Sequence, residues 1–585
     1  MSQVLRHIRA WWLLAALLPT FALAQSGSSD AAFHALADEF IDTFVSPASP
    51  TWATQNGIHT FDDKLEDYSR AAIKRHTATL KQYEARFSAI AAAKLSAPAA
   101  IDRELLLNWI RSGILSNETI RGWEKNPDSY TSGITGTAFA MISKQFAPPA
   151  DRLRNLIARE KLMPQALEDA RANLRNPPKI FTEIAIEQLP GMISFFDKDV
   201  VSAFADVQDP TLLAQFAASN GAVIKALNDY LVWLKADLLP RSHGDYKLGA
   251  ATYAKKLQYD EMVTTPLPQL LEINLRNLRQ NQADFARIAK ELEPDKTTAQ
   301  VLAELSADYP PPDKLLDTFR GTLDGLVKFI NEHRIVTIPS PVRPIIEETP
   351  PFLRAITFAS MDTPGPFEKV AKEAYFNVTL PDPKLTPEQT REFMAQFNYP
   401  VINGVAVHEA YPGHYVQFLV MHDVPGRVRK LFGAASNSEG WAHYCEQMML
   451  DEGLAQALFP NDVRRQKFLR LGQLQDALLR NARFTVGIKL HTGEFTFDQA
   501  VDFFVKEGFQ SRTVGTVETK RGTGDPTYLY YTLGKLEILQ LRADMQRKLG
   551  ASFNLQKFHD DFLHEGSPPI PLVRGALLGS GSPVL

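Results

Sequence analysis

The stretch His408-Glu409-Ala410-Tyr411-Pro412-Gly413-His414 decides how this chain is read. It follows Pro400-Val401-Ile402-Asn403-Gly404-Val405-Ala406-Val407, whose pattern predicts a helix, and it opens with a His-Glu pair. Such a pair on a helix is what a hydrolytic zinc ion needs: nitrogen or oxygen ligands, one open position for water, and a carboxylate to take the water's proton. The usual second histidine comes four residues on, one turn up the same face. Here position 412 is Pro and the next histidine is His414. Six residues of regular helix rotate by about 600°, or roughly 240° around the axis, so His408 and His414 cannot share a face of one helix. Pro412 lacks a backbone N–H and Gly413 tolerates unusual dihedrals. A bulge or break at Pro-Gly is therefore expected to swing His414 back beside His408.

A second stretch, Ser438-Glu439-Gly440-Trp441-Ala442-His443-Tyr444-Cys445-Glu446, supplies the remaining chemistry. Zinc peptidases with a carboxylate as third ligand take it from a Glu on a following helix. Glu439, His443 and Glu446 lie at i, i+4 and i+7, one helical face. Glu439 is the expected ligand, with His443 and Glu446 as partners behind the ligands or as substrate contacts. Any one of these residues alone is more often an ordinary surface or core group.

The motifs His-Glu-x-x-Pro-Gly-His-x-x-Gln (408 to 417) and Ser-Glu-Gly-Trp-Ala (438 to 442) resemble the bacterial family called domain of unknown function 885. Its members resemble helical zinc peptidases of the gluzincin kind, including the angiotensin-converting and thermostable carboxypeptidase groups. Further stretches extend the likeness: Ala53 to His59, Tyr375-Phe376-Asn377-Val378, Glu518-Thr519-Lys520-Arg521, Pro526 and Tyr531-Thr532-Leu533-Gly534-Lys535. The resemblance implies one zinc ion held by His408, His414 and Glu439, with Glu409 as general base. It makes Tyr375 to Leu380 an edge strand that pairs with the substrate backbone, so that Tyr375 and Asn377 become substrate contacts; a purely structural hairpin is the alternative. It selects Tyr531 among Tyr528, Tyr530 and Tyr531 as donor to an oxyanion. Arg521 is placed to hold a substrate carboxylate, or else to pair with Glu518. His443, one turn after Glu439, competes with His414 for the metal. The Pro-Gly break and the family motif both favour His414, leaving His443 a substrate-side role.

The rest of the chain sets the context. Residues 1–24 read as a secretory signal: Arg6 and Arg9, the short apolar run Trp11 to Leu18, then Ala22-Leu23-Ala24 before Gln25. No later run has the length of a membrane span, so a periplasmic or secreted protein without a membrane anchor is expected. Removing Arg6 and Arg9 from the 63 Lys and Arg leaves 61 against 67 Asp and Glu, a net charge of −6. That acidity argues against a nucleic-acid partner. The only cysteine, Cys445, excludes an internal disulfide and reads as a buried apolar group.

The expected fold is mainly α, a two-lobed helical arrangement with a small β-sheet near the cleft. Residues 25–585 form one family-wide domain of interleaved lobes, about 25–333 and 334–585. Amphipathic periodicity predicts helices over 31–44, 70–95, 101–122, 151–176, 209–238 and 266–292. Strand texture is confined to Ile335-Val336-Thr337-Ile338 and Ala374 to Leu380. Thr386-Pro387-Glu388-Gln389 reads as a capping box. Later helices are expected at 463–491, 497–508 and 527–549, with a loop over 515–525 and a loosely attached tail from Gly566. The function these readings converge on is an exported zinc-dependent hydrolase, of carboxypeptidase or oligopeptidase type, acting on a peptide or small amide. The alternatives are a metal-dependent hydrolase of a non-peptide amide or ester, and a periplasmic binding protein with a degenerate site.

Overall fold

The computed structural model describes residues 29–349, 354, 358–579 and 584–585; the expected signal segment lies outside them. The fold is mainly α with one small sheet. The first half follows the apolar periodicity closely. Helices run over Arg70–Ala89, Ala97–Leu115, Pro210–Trp233 and Leu267–Leu292, and Ser69, Ser96 and Asp209 cap the first three by accepting from a backbone N–H in the first turn. The long stretch expected over 151–176 divides into Pro149–Glu160 and Met163–Asn173. Proline at the start of the second helix lacks a donor there and costs nothing, which makes the division easy.

Two expectations about strands are corrected. Ile335 to Ile338 forms no ladder; Ile335 and Val336 are buried, the Ile335 carbonyl accepts from His559, and Thr337 is tied to Asp560. Its β-branched side chains anchor a loop to the core instead of pairing. The sheet is built from β1 (Ile345–Glu348), β2 (Ala359–Asp362) and β3 (Tyr375–Val378) in the order β1-β3-β2. β1 runs parallel to β3, with Ile345 opposite Tyr375, and β2 antiparallel, with Ala359 opposite Val378. β3 is therefore the central strand, not an edge. Both its sides are already hydrogen-bonded, so no substrate backbone can be added there. Its Phe376 and Val378 face the core, where Phe376 packs on Phe319.

Six helices carry the candidate site: α1 (Tyr399–Glu409), α2 (His414–Met421), α3 (Ala435–Asp451), α4 (Val463–Thr492), α5 (Arg512–Gly524) and α6 (Tyr530–Leu549). The capping box expected at Thr386 is formed, and Thr496 forms another at the start of Phe497–Lys506. α5 replaces the loop expected over 515–525. Ser511 caps it, and the hydroxyls of Thr516, Thr519 and Thr523 bond back to carbonyls of the preceding turn. The Gly- and Thr-rich composition is thus absorbed by a helix that other helices cover. The tail is also not loose. Residues Ile570–Leu578 are helical, with Ile570 and Val573 fully buried. The Ser567 carbonyl accepts from Ala434 N–H and the Pro568 carbonyl from the Asn437 amide, so the tail clamps the beginning of α3.

Several cores join the two halves of the chain. Leu278, Phe285 and Ile288 pack with Phe468, Leu471 and Leu478 of α4, while Phe33, Phe40 and Phe87 pack with Val428 and Phe432. The closest helix crossing is α3 on α6. A Cβ on Gly440 would lie 2.5 Å from the Gly534 Cα, and one on Gly534 would lie 1.8 Å from the Ser436 carbonyl oxygen. Side chains are absent on both helices because the backbones touch. Gly440→Ala and Gly534→Ala should each destabilise the protein by at least ~1–3 kcal/mol, the usual cost of overpacking a core. Thermal unfolding checks this, and an unchanged midpoint in both variants would contradict the crossing.

Candidate metal centre

α1 ends at Glu409 and the chain doubles back over its last turn. The N–H groups of Ala410 and Tyr411 both reach the Ala406 carbonyl, and Gly413 N–H reaches the Val407 carbonyl at 3.0 Å. A Cβ on Gly413 would sit 1.8 Å from the His408 carbonyl oxygen, so glycine is required where the chain crosses the helix end. α2 then starts at His414. Trp441 of α3 holds this crossing from below, its indole N–H donating to the Pro412 carbonyl at 2.9 Å. Gln417 of α2 donates to Asn437 of α3. The break expected from Pro412-Gly413 therefore places His414 beside His408, their rings perpendicular with centroids 4.9 Å apart.

Glu439 completes the group. Its Oε2 lies 3.3 Å from His408 Nε2 and 3.4 Å from His414 Nε2. Ligands about 2.0–2.1 Å from a tetrahedral ion stand roughly 3.4 Å apart, so these separations match the edges of a zinc coordination tetrahedron. His414 Nδ1 and Glu439 Oε2 are buried with no hydrogen-bond partner, which is costly unless a cation meets the carboxylate. The His408–His414–Glu439 set is the metal-compatible cluster among the described residues.

The surroundings favour positive charge at this point. Burial opposes charge on His408, but the carboxylates of Glu439 and Glu446 outweigh it and raise its pKa to about 10. Burial alone would raise Glu439; the two imidazoles instead hold it far below the carboxylate range. A divalent cation would supply that charge directly. Behind the ligands, Glu446 accepts from His408 Nδ1 at 2.7 Å, from His443 Nδ1 at 3.0 Å and from Arg480 at 3.0 Å. The first of these keeps a proton on Nδ1, so that Nε2, facing Glu439, is the nitrogen that would give up its proton to a cation.

The other residues singled out fall into three groups. Tyr531 stands next to the cluster, while Glu409 follows His408 in the chain with no described contact to the cluster. Glu409 is half-buried at the end of α1. The Tyr531 ring lies 6.5 Å from the His408 ring, with the guanidiniums of Arg480, Arg483 and Arg521 over it at 5.5, 5.1 and 5.9 Å. Arg521 borders the same place but does not pair with Glu518, which is held in bidentate fashion by Arg483 at 2.7 and 2.9 Å. Arg521 makes only longer contacts to Asp525, Tyr530 and Tyr531, 3.2 to 3.4 Å, and remains partly exposed. His443 is a correction: it has no exposed surface and cannot touch a substrate, and its place is behind Glu446. Tyr375 and Asn377 sit on the central strand, where no described contact joins them to the cluster, and Asn377 is buried. Cys445 is in the core. The sequence reading missed Arg480, Arg483 and Lys535. The first two look like ordinary charges on a long helix. Lys535 lies within a quoted motif; it is fully buried beside Glu446 and burial lowers its pKa to about 8.

Fold and site together define a helical protein with a two-histidine, one-carboxylate cluster. The chain belongs to the family described as bacterial protein of unknown function (DUF885), whose profile matches residues 50–577. Among solved structures it is similar to a protein of Shewanella oneidensis, provisionally described as a lipoprotein of unknown function. The identity is 27%, the TM-score 0.78, and the match covers 93% of this chain and 99% of that one. A protein of Colwellia psychrerythraea, also provisionally described as a lipoprotein, shares the fold with TM-score 0.72 at 17% identity, covering 93% and 98% of the two chains. No curated protein matches the chain.

Mutation separates the ligands from their supports. His414→Ala should abolish stoichiometric zinc, whereas His443→Ala should retain it. Glu446→Gln should weaken zinc affinity ~10–100-fold, as loss of a ligand's hydrogen-bond partner usually does. Metal content by mass spectrometry after dialysis checks all three; loss in His443→Ala with retention in His414→Ala would invert the assignment.

Proposed function

We propose that this protein is an exported zinc-dependent hydrolase, acting on peptides or related small amides at the His408–His414–Glu439 cluster. The observation that carries the reading is the pair of 3.3 and 3.4 Å separations of Glu439 Oε2 from the two imidazole nitrogens, the edge length of a zinc tetrahedron. When bound, zinc supplies Lewis acidity that polarises a substrate carbonyl and lowers the pKa of a coordinated water to about 7. His408, His414 and Glu439 would hold the ion, with Glu446 orienting His408.

Glu409 is adjacent to His408 and half-buried, suited to take a proton from the attacking water and deliver it to the leaving nitrogen. The Tyr531 hydroxyl, which accepts from Arg521 at 3.4 Å, keeps its own O–H to donate to the oxygen that gains negative charge. Arg521, partly exposed and held by a single 3.2 Å contact to the Asp525 carboxylate, can turn from it to a substrate carboxylate. Likeness of the two central motifs to gluzincin peptidases supports the same chemistry. Export is supported by the signal-like residues 1–24 and by the lipoprotein description of the two similar proteins. No helix among the described residues is long and apolar enough to cross a membrane.

The test is turnover of short peptides by zinc-loaded protein with and without a chelator. Chelation should remove turnover and zinc restore it. Glu409→Gln should keep its zinc and lose at least ~100-fold of the rate, the lower range for a positioned general base. A Glu409→Gln protein with bound zinc and full turnover would sink the role given to this residue.

A further inference from the structure

One turn before Glu439, the beginning of α3 borders a cavity of about 440 Å³. Its walls include Trp109 and Ser112 of the helix Ala97–Leu115, Asp260 and Glu261, Ala435 of α3 and Tyr530 of α6. None of the cluster residues lines it, but two of its wall elements lead to the candidate centre. Tyr530 stacks on Tyr531 with ring centroids 4.8 Å apart, and it feels the Glu439 charge. Glu261 Oε2 accepts from the N–H of Ser436, three residues before Glu439, a rise of only about 4.5 Å along α3.

The charge in this cavity is not balanced. Asp260 is satisfied: Lys256 pairs with it at 2.5 Å and Ser112 donates to its other oxygen. Among the described residues Glu261 makes no ion pair of its own; Lys256, on the same cavity wall, acts on it only at a distance. It is 3% exposed and lines the cavity, Ser436 N–H donates to one of its oxygens, and no described hydrogen bond reaches the other. A second carboxyl, Glu537 of α6, lies near Glu261 with Oε2 buried and unpartnered. Burial, with the Asp260 carboxylate adding to it and the Ser436 hydrogen bond and Lys256 opposing, raises the Glu261 pKa to about 7, so the group ionises readily once a cation arrives. A buried carboxylate oxygen with no partner, beside a reaction centre and opening on a cavity of side-chain size, is a receptor for a hydrogen-bonding cation.

We propose that Glu261 is the anchor of a substrate subsite for a primary ammonium group, so that the substrates are peptides or amides carrying a free amine close to the scissile bond. The amine is either the substrate's amino terminus or a lysine-like side chain. Its N–H groups donate to Glu261, Tyr530 and Trp109 flank its aliphatic part, and the adjoining carbonyl is left at the Glu439 end of the cavity. This deepens the hydrolase reading and rests on the metal cluster being its reaction centre.

The experiment uses the zinc-loaded full chain and two pairs of probes. Trialanine against N-acetyl-trialanine reports the amino terminus; N-acetyl-Lys-Ala-Ala against N-acetyl-norleucyl-Ala-Ala reports a side-chain amine. Binding is measured by calorimetry on Glu409→Gln protein and turnover on the native protein. In at least one pair the amine-bearing peptide should bind at least ~10-fold tighter. Adding Glu261→Gln should reduce that preference to within about threefold. Equal binding within both pairs, which needs no further variant, overturns the proposal, as does a preference that survives Glu261→Gln. Amine-dependent binding without cleavage of any of the four peptides would leave the subsite standing and refute the hydrolase reading. Cleavage without amine preference would do the reverse.

Discussion

The hydrogen bond from the Trp441 indole to the Pro412 carbonyl, together with the contact of Gly413 on the end of α1, is the constraint on which the site depends. A straight helix puts residues six apart on different faces. The protein instead stops the helix after Glu409, folds the chain over its last turn and starts a new helix at His414. Two histidines that one helix would separate are thereby brought edge to face. The indole that holds the crossing belongs to the same helix as Glu439, so the two metal-ligating stretches are locked to each other before any ion is considered.

The surroundings extend this pre-organisation outward. α3 carries Glu439 on one turn and Glu446 two turns later, and Glu446 gathers His408, His443 and Arg480. α6 lies backbone-to-backbone on α3 at Gly440 and Gly534, which sets Tyr531 close to His408. The C-terminal segment fastens the first turn of α3 through Ser567 and Pro568. Each of these contacts reduces the freedom of a side chain that faces the cluster, and a site held this way loses little entropy when it takes up an ion or a substrate. The cationic side chains around Tyr531 have a different role. Arg480 and Arg483 are held by buried carboxylates, Glu446 and Glu518, whereas Arg521 is partly exposed and held by Asp525 alone among carboxylates.

How much of this was legible in the sequence depended on the range of the interactions involved. His408, Glu409, His414 and Glu439 could be found because few residue types carry metal chemistry, and Pro412-Gly413 announced a break. The helices were legible because each buries one apolar stripe. The sheet was only half legible: β3 has strand texture, but β2, Ala-Ser-Met-Asp, has none, so β3 read as an edge when it is the centre. Strand neighbours are a long-range property, and four residues do not reveal them. Residues 515–525 looked like a loop because glycine and threonine weaken helices in solvent; packed between other helices, the threonine hydroxyls satisfy themselves on the backbone. His443 carried the spacing of a site residue yet faces inward, since spacing fixes a helical face and not what covers it. Glu261 gave no signal, and Lys535 none beyond its place in a quoted motif, because a charged residue's burial is invisible until the fold closes over it.

The central claim is that His408, His414 and Glu439 together hold one zinc ion with an open position. X-ray absorption at the zinc edge of the purified, dialysed protein tests it most directly. The expected spectrum shows about four nitrogen or oxygen neighbours at about 2.0–2.1 Å, with the outer-shell scattering of two imidazoles. A sulfur neighbour at about 2.3 Å, or zinc well below one equivalent, would contradict it.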